Sequence, residues 1–252
     1  MRTDYSYIGS GRILIRKRGA AGPFIEVGNC SALSFGVTSE EKVLRDFRSP
    51  GGGTYNKVDR ITDVSMSITA HDLSPENLAL ALYGTTTPVA GGTVNDEEAV
   101  AFKGGYVLLA GNPSAISAVK DKATPATTYV EGTDYVFQHG ALFIPAGSGI
   151  TTPVDADTPN ITVTYTDKAG DVVQALTTAA PELEMAFLGL NEADSGSAVN
   201  VRVWRGKFGP AQTIGLIGDD YAALEMSGSL LADASKVGTT SQYFQTFVED
   251  NT

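Results

Sequence analysis

Two histidines, one cysteine and adjacent carboxylates such as Asp219-Asp220 and Glu40-Glu41 are the residues from which this 252-residue chain could build a reactive site. His71 and His139 lie in stretches of different character, and Cys30 is adjacent to neither. No His or Cys spacing matches a zinc site. His71-Asp72 would be two members of a nucleophilic triad, but no serine sits in a Gly-x-Ser-x-Gly elbow. The expectation is therefore a histidine at a strand end, ahead of a helix cap. Asp219-Asp220 and Glu40-Glu41 are neighbours in sequence, whereas glycosidase carboxylates are set by their separation in space. Such neighbours are expected to be solvated. The glycines of Pro50-Gly51-Gly52-Gly53-Thr54 lack the Gly-Lys-Ser/Thr ending of a phosphate loop. Trp204 alternates with Val203 and should point off the core, either into a subunit contact or as a partly buried sheet residue. No catalytic residue, metal ligand or cofactor site is predicted.

What remains unexplained is RSPGGGTYN, residues 48–56. Each of Gly51, Gly52 and Gly53 costs backbone entropy on ordering, and a hairpin turn needs only one or two residues with positive φ. The flanks, EEKVLRDF (40–47) and TYNKVDRI (54–61), carry mixed charge and few core-grade residues. As strands they would project about 25–30 Å from a core. A long arm with a soft tip becomes worthwhile when a partner orders it, so this feature points to assembly.

The rest of the chain reads as the support for that arm. Plentiful glycine and threonine and few helical patterns predict a mainly β protein with many turns. GRILIRK (11–17), FIEVG (24–28) and SALSFGVT (31–38) are expected strands. In DVSMSITA (63–70), Val64, Met66, Ile68 and Ala70 alternate with Asp63, Ser65, Ser67 and Thr69, giving one buried and one wet face. One helix is expected at about 75–83: Ser74 as N-cap, Pro75 at N1, Glu76 at the positive end of the dipole, a Leu73–Leu78 staple, a Leu78–Leu82 face and Gly84 at the C-terminus. Residues 85–98 and 168–181 read as linkers. Between them, short β runs predict a small β-sandwich inserted at 86–166. ELEMAFLGL (182–190), AVNVRVWRGKF (198–208) and ALEMSGSLLAD (223–233) are further strands, followed by a polar tail with an apolar knot at Tyr243, Phe244 and Phe247. No internal repeat stands out.

The net charge of −11 excludes a general phosphate-binding footprint. The acid excess lies in the inserted stretch and the C-terminal third. A single cysteine leaves no intrachain disulfide and fits a reducing compartment. The stretch MRTDYSYIGSG has no apolar core of a signal peptide, and no apolar run reaches the length of a membrane helix. A cytoplasmic folding site is the expectation.

The run VTSEEKVLRDFRSPGGGTYNKVDRITDVSMSITAHDLSPENLALALYG (37–84) resembles the tail tube, or major tail, proteins of long-tailed bacteriophages. Charged leg, S-P-G-G-G tip, returning leg, strand ending in H-D and capped helix follow one another in the family's order. RGKFGPAQTIGLIGDDYAALEMSGSLLAD (205–233) resembles the last strands of the same family, and with the opening strands about two thirds of the chain is covered. The resemblance implies a tail-tube-type β-sandwich or barrel core from 1–85 and 167–252 with one flanking helix. It implies hexameric rings stacked into a hollow tube, with tape measure, terminator and distal tail proteins as further partners. Genome DNA would pass through the lumen without specific binding, and no membrane is involved. The arm would reach the neighbouring ring, with Arg45, Phe47, Arg48, Gly51, Gly52, Gly53 and Tyr55 as contacts and a tip disordered until docking. Residues 86–166 would form an Ig-like domain on the tube exterior. Asp63, Glu182, Glu184 and Glu225, on faces opposite the apolar ones, are candidate lumen acids that would repel DNA. The place of action would be the virion, after assembly in the bacterial host cytoplasm. A tail terminator or other tube-like ring protein, and a bacterial surface or carbohydrate-binding β module, are the alternative readings.

Overall fold

Apolar residues recur with a period of two through most of the chain, and strands follow from that pattern. The computed structural model describes residues 6–123 and 126–249. The first five residues of the polar N-terminal stretch and the last three of the expected tail lie outside them. The protein is mainly β, and it divides into two units: Met1–Thr86 with Val173–Thr252, and Thr87–Val172.

In chain order the first unit contributes β1 (Gly9–Lys17), β2 (Ile25–Glu26), β3 (Cys30–Arg45), β4 (Thr54–Ala70) and helix α1 (Pro75–Ala81). β5 (Thr85–Val89) leads out of it. The second unit holds β6 (Gly92–Ala99), β7 (Tyr106–Val107), β8 (Pro113–Asp121), β9 (Thr128–Tyr129), β10 (Val136–Gln138), β11 (Ala141–Phe143) and β12 (Ile161–Asp167). β13 (Gly170–Gln174) leads back to β14 (Leu183–Asn191), β15 (Ser197–Phe208), β16 (Leu224–Leu230) and β17 (Phe244–Val248).

The first unit is one eight-stranded sheet in the order β2-β1-β14-β15-β16-β4-β3, with β17 also paired to β15. β15 divides one edge between two partners. Its residues Val199–Val203 pair with β17, and Gly206–Phe208 pair with β16. The sheet therefore splays there, and its two halves close on a single core. Ile13, Met185 and Val203 from one half share that core with Met66, Ile68 and Met226 from the other. Phe35 of β3 stacks on Phe244 of β17, ring centroids 5.2 Å apart, although the two strands are not neighbours in the sheet. The two walls of the expected sandwich or barrel are thus halves of one continuous curled sheet.

Helix α1 begins as its sequence predicts. The Ser74 hydroxyl accepts from Asn77 N–H, and Pro75 opens the helix. Its buried side chains, however, are Asn77 and Ala81 rather than Leu78 and Leu82. Asn77 Nδ2 donates to Val27 O (2.7 Å) and Asp72 O (2.8 Å), satisfying two carbonyls that face the helix from the loops around β2 and β4. Gly84 does not supply the left-handed residue at the C-terminus. Tyr83 does, at φ 51°, with Gly84 N–H bonded back to Ala79 O. The Tyr83 hydroxyl donates to Phe208 O, which anchors that conformation. Glycine is needed at 84 because a Cβ there would lie 2.5 Å from Gln174 O.

Both expected linkers hold strands. β5 and β13 pair with each other in a two-stranded ribbon, so the second crossing falls a few residues later than 166. Thr-Thr-Thr and Val172-Val173 supply the β-branched residues such a ribbon uses, and Pro88 is tolerated on an edge. Residues 92–98, also expected to be linker, belong to β6. The polar tail contains β17, a five-residue strand that its pairing with β15 specifies.

In the second unit a four-stranded sheet, β6-β12-β8-β9, and a three-stranded sheet, β10-β11-β7, enclose one core of Val119, Leu142, Ile144, Ile161, Val163 and Tyr165. β8 carries the small residues Ser114, Ala115, Ser117 and Ala118, so its pairing with β12 specifies it more than its composition does. Conversely, 99–111 reads as a β run, but beyond Ala99 at the end of β6 it is strand only at 106–107. Side chains take its backbone donors instead. Asn160 Oδ1 accepts from Ala101 N–H, Glu97 Oε1 from Ala110 N–H, and the Tyr165 hydroxyl from Gly111 N–H. Tyr165 in turn donates to Glu97 Oε2 at 2.6 Å.

Replacing Asn77 by alanine strands the Val27 and Asp72 carbonyls at the helix. The expected loss is about 2 kcal/mol, larger than for Leu78→Ala at the half-exposed neighbouring position. Urea unfolding of both variants followed by circular dichroism measures the order, and a larger loss for Leu78→Ala would refute it.

Candidate functional site: the hairpin arm

β3 and β4 stay paired well past the core. From Thr38 to Asp46 and from Gly53 to Asp63 every described side chain except Asp46 is solvent-exposed. That stretch is about 25 Å long at the rise of a strand. The arm begins at a bulge. Thr38 pairs with Asp63, but Ser39 pairs with Ile61, leaving Thr62 as the extra residue, its hydroxyl bonded to Thr38 O. Beyond it, alternation sends Val43 and Ile61 to one face of the ribbon and Leu44 and Val58 to the other. Phe47 at the tip is 81% exposed. Apolar side chains on both faces of a two-stranded ribbon have no cover within the chain.

The tip is built rather than loose, which corrects the expectation of a disordered glycine segment. Gly52 N–H returns to Ser49 O across Pro50 and Gly51, and Gly51 has φ 76°. This is a type II turn with proline and glycine in their preferred places. Asp46 N–H closes the loop on Gly53 O at 2.7 Å. A Cβ on Gly52 would sit 2.2 Å from Asp46 O, so this position also requires glycine. Gly53 meets nothing. Arg45 Nε donates to Gly52 O. Arg48 forks onto both oxygens of Asp46 and lies 4.7 Å over the Tyr55 ring. That fork holds the Asp46 carboxyl below its ordinary range. Arg45, Arg48 and Tyr55 therefore organise the tip, and Phe47 is left pointing outward.

The four acids predicted on the polar face of the sheet do not form a bare acidic wall. Glu184 is cross-strand from Arg16 and bonded to it. Glu182 takes Arg205 in a two-toothed pair, with Nη2 to Oε1 at 2.6 Å and Nε to Oε2 at 2.8 Å. Asp63 and Glu225 stay exposed. Between them lie Ser65, Ser67, Ser227 and Ser229, and the Ser34 and Ser67 hydroxyls share a hydrogen bond. Arginines on neighbouring strands are what a sequence reading along one strand misses, because the partners stand far apart in the chain.

The residues singled out for chemistry have structural work. His71 Nδ1 donates to Ala222 O, and Asp72 Oδ2 accepts from Asn29 N–H beside Gly28, whose φ is 96°. His139 sits with Gly140 at positive φ in the two-residue turn between β10 and β11. Burial first, then Asp72 and Glu26, push the half-buried Cys30 thiol up, away from thiolate chemistry. Glu41 pairs with Lys57. Trp204 is partly covered: its Nε1–H donates to Ser241 O, and Lys236 and Arg202 flank the ring. Among the described residues no group of three His, Cys, Asp or Glu side chains could hold a metal ion, and no helix is long and apolar enough to cross a membrane.

One acid carries a clear pH signature. The Ser235 hydroxyl and N–H, then Arg18, hold Asp233 at about 2 against an ordinary value of 3.8. A folded-state pKa below the unfolded one contributes stability above about pH 4 that is lost as pH falls toward 2. Asp233→Asn is expected to be less stable at pH 7 and to unfold with a shallower acid limb, the two proteins converging near pH 2. Denaturation midpoints from pH 7 to pH 2 test this, and parallel limbs would refute it.

A family model described as "Protein of unknown function UCP028589" matches residues 6–246. No curated protein matches the chain. The matched span takes in the arm, the helix and the whole of the second unit, and the chain belongs to that family, UCP028589.

Proposed function

We propose that this protein is a structural subunit that assembles with copies of itself, and that the assembly is the tube of a long-tailed bacteriophage. The observation that carries the self-assembly reading is the arm: a ribbon continuous with the core sheet, apolar on both faces and covered on neither. A free two-stranded ribbon is marginal in water, and covering both its faces against a neighbour recovers burial that the single chain cannot supply. The resemblance of 37–84 and 205–233 to tail tube proteins supports the rest. In this reading hexameric rings stack through the arm, and tape measure, terminator and distal tail proteins meet the ends. The role is structural rather than enzymatic.

Within such a tube the serine-rich face with Asp63 and Glu225 is our choice for the lumen wall. Its serines are neutral, and Glu182 and Glu184 are already neutralised by arginine. One exposed cation, Lys207, stands cross-strand from Ser229 on this face, and with Asp63 and Glu225 beside the serines DNA sliding past would meet little net basic surface to bind through counterion release. The second unit, Thr87–Val172, would stand outside the tube, and the virion would be the place of action.

Electron microscopy of the purified chain is expected to show rings or tubes, and a persistent monomer at high concentration would sink the reading. The arm is tested by shortening it in register. Lys42 pairs with Val58, so residues 43–57 can be replaced by Asn-Gly, a two-residue hairpin turn. The shortened chain should melt within about 3 °C of the full one, since no core residue is removed, and should no longer polymerise. Ordered tubes from it would place the assembly contact elsewhere.

A further inference from the structure

A second exposed apolar element stands between β15 and β16. In the loop Ile214–Tyr221, Leu216, Ile217 and Tyr221 are 78%, 101% and 94% exposed. The loop is rooted at both ends of its base, where Ala211 N–H donates to Ala81 O and Ile214 bridges to Leu224. Its apolar side chains are thus held in solvent by a fixed stem. Beside them are Asp219 and Asp220, exposed, and neither joins an ion pair among the described residues.

The arm is complementary to this loop. Its outer half carries Val43, Leu44, Phe47, Tyr55 and Val58 exposed. Among its cations, Arg48 is engaged by Asp46 and Lys57 by Glu41. Lys42 and Arg45 have no carboxylate partner among the described residues. In the outer half of the arm these two uncompensated cations match two uncompensated carboxylates on an apolar loop, while Arg60, also without an ion pair among the described residues, stands nearer the base opposite Glu40. Neither surface covers the other within one chain, since both remain exposed. On a protein of net charge −11, a like-charged approach elsewhere is penalised, so a basic-tipped arm selects an acidic site on a second copy.

We propose that the Ile214–Tyr221 loop receives the arm of another copy of this chain, with Leu216, Ile217 and Tyr221 packing on its apolar side chains and Asp219-Asp220 facing Lys42 and Arg45. The inference rests on the self-assembly reading above and names its two surfaces. The contact is heterologous: arm and loop are different patches, so each copy offers one of each and the contact repeats without closing on a dimer.

The test uses the full chain in three forms: Lys42→Glu with Arg45→Glu, Asp219→Lys with Asp220→Lys, and all four together. Assembly is read by sedimentation at low salt. Each pair alone is expected to raise the concentration at which half the protein sediments by about tenfold or more, and the fourfold variant to return to within about threefold of the native chain. A loop variant that assembles like the native chain overturns the proposal, and so does a fourfold variant that stays defective with native circular dichroism. A second measurement joins Ser49→Cys and Gly218→Cys in a Cys30→Ser background. Added oxidant should then produce a ladder of covalent multimers, whereas each single-cysteine variant stops at dimers. A native chain that does not sediment, together with a double-cysteine variant that gives no ladder, removes the self-assembly reading as well. A chain that assembles but gives no ladder removes this pairing alone. Retention of duplex DNA that is lost with the arm variant and unaffected by the loop variant would assign the arm to a polyanion and overturn the pairing too.

Discussion

The first unit depends on the β3–β4 ladder, which serves two ends with different rules. At its base, Leu33, Phe35, Val64, Met66 and Ile68 face the core, and β4 must also pair with β16 on its other edge. Further out there is no second neighbour and no core. The ladder alone holds the ribbon, assisted by cross-strand charge such as Glu41–Lys57. The bulge at Thr62 marks the change. An extra residue there raises local twist and also shifts the register by one. Ile61 therefore lands on the side that Val64 occupies below. Without that shift the apolar residues of the arm would divide differently between its faces.

Charge follows the same division. On the body of the sheet, acids on or beside one strand meet arginines on the next: Glu184 with Arg16 and Glu182 with Arg205. Exposed pairs of this kind contribute little stability each, but they fix which residues remain uncompensated. Asp63, Asp219, Asp220 and Glu225 are among those left on the acid side, and Lys42, Arg45, Arg60 and Lys207 among those left on the basic side. A net charge of −11 is therefore a poor guide to where the field lies. The surface relevant to a partner is what is left after cross-strand pairing.

The arm, the one-sided burial of β4 and the helix N-terminus were legible because each rests on local sequence: two charged legs about a Pro-Gly turn, strict alternation at Val64–Ala70, and Ser74-Pro75-Glu76. The errors share a cause. β5, β8 and β13 carry small, polar or threonine-rich residues, β17 is five residues inside a polar tail, and pairing partners distant in the chain specify all four. Asn77 displaced the leucines on the buried side of α1 because two loop carbonyls needed a donor, which no periodicity reveals. Run 99–111 went the other way: its apolar residues look like a strand, but Asn160, Glu97 and Tyr165 supply its hydrogen bonds. The second unit was legible as a β insertion, and its residues fall within the span 6–246 that the family model matches.

The glycine tip was the hardest feature to read, since three glycines suggest freedom. Two of them are imposed by geometry: Gly51 by its positive φ, Gly52 by the approach of Asp46 O. The consequence for binding runs opposite to that of a floppy tip. A segment that orders on docking must meet the entropy cost of ordering at that moment. Here the Ser49–Gly52 turn, the Arg48–Asp46 fork and the Arg48–Tyr55 stack have already met most of it during folding. Preorganisation of this kind raises affinity without adding a contact. It suits a surface that must be recognised many times in the same geometry, because each repeat of a heterologous contact inherits any angular error of the last. A rigid tip on a ribbon anchored to the core sheet limits that error, and the lone unconstrained glycine, Gly53, sits where the tip rejoins β4.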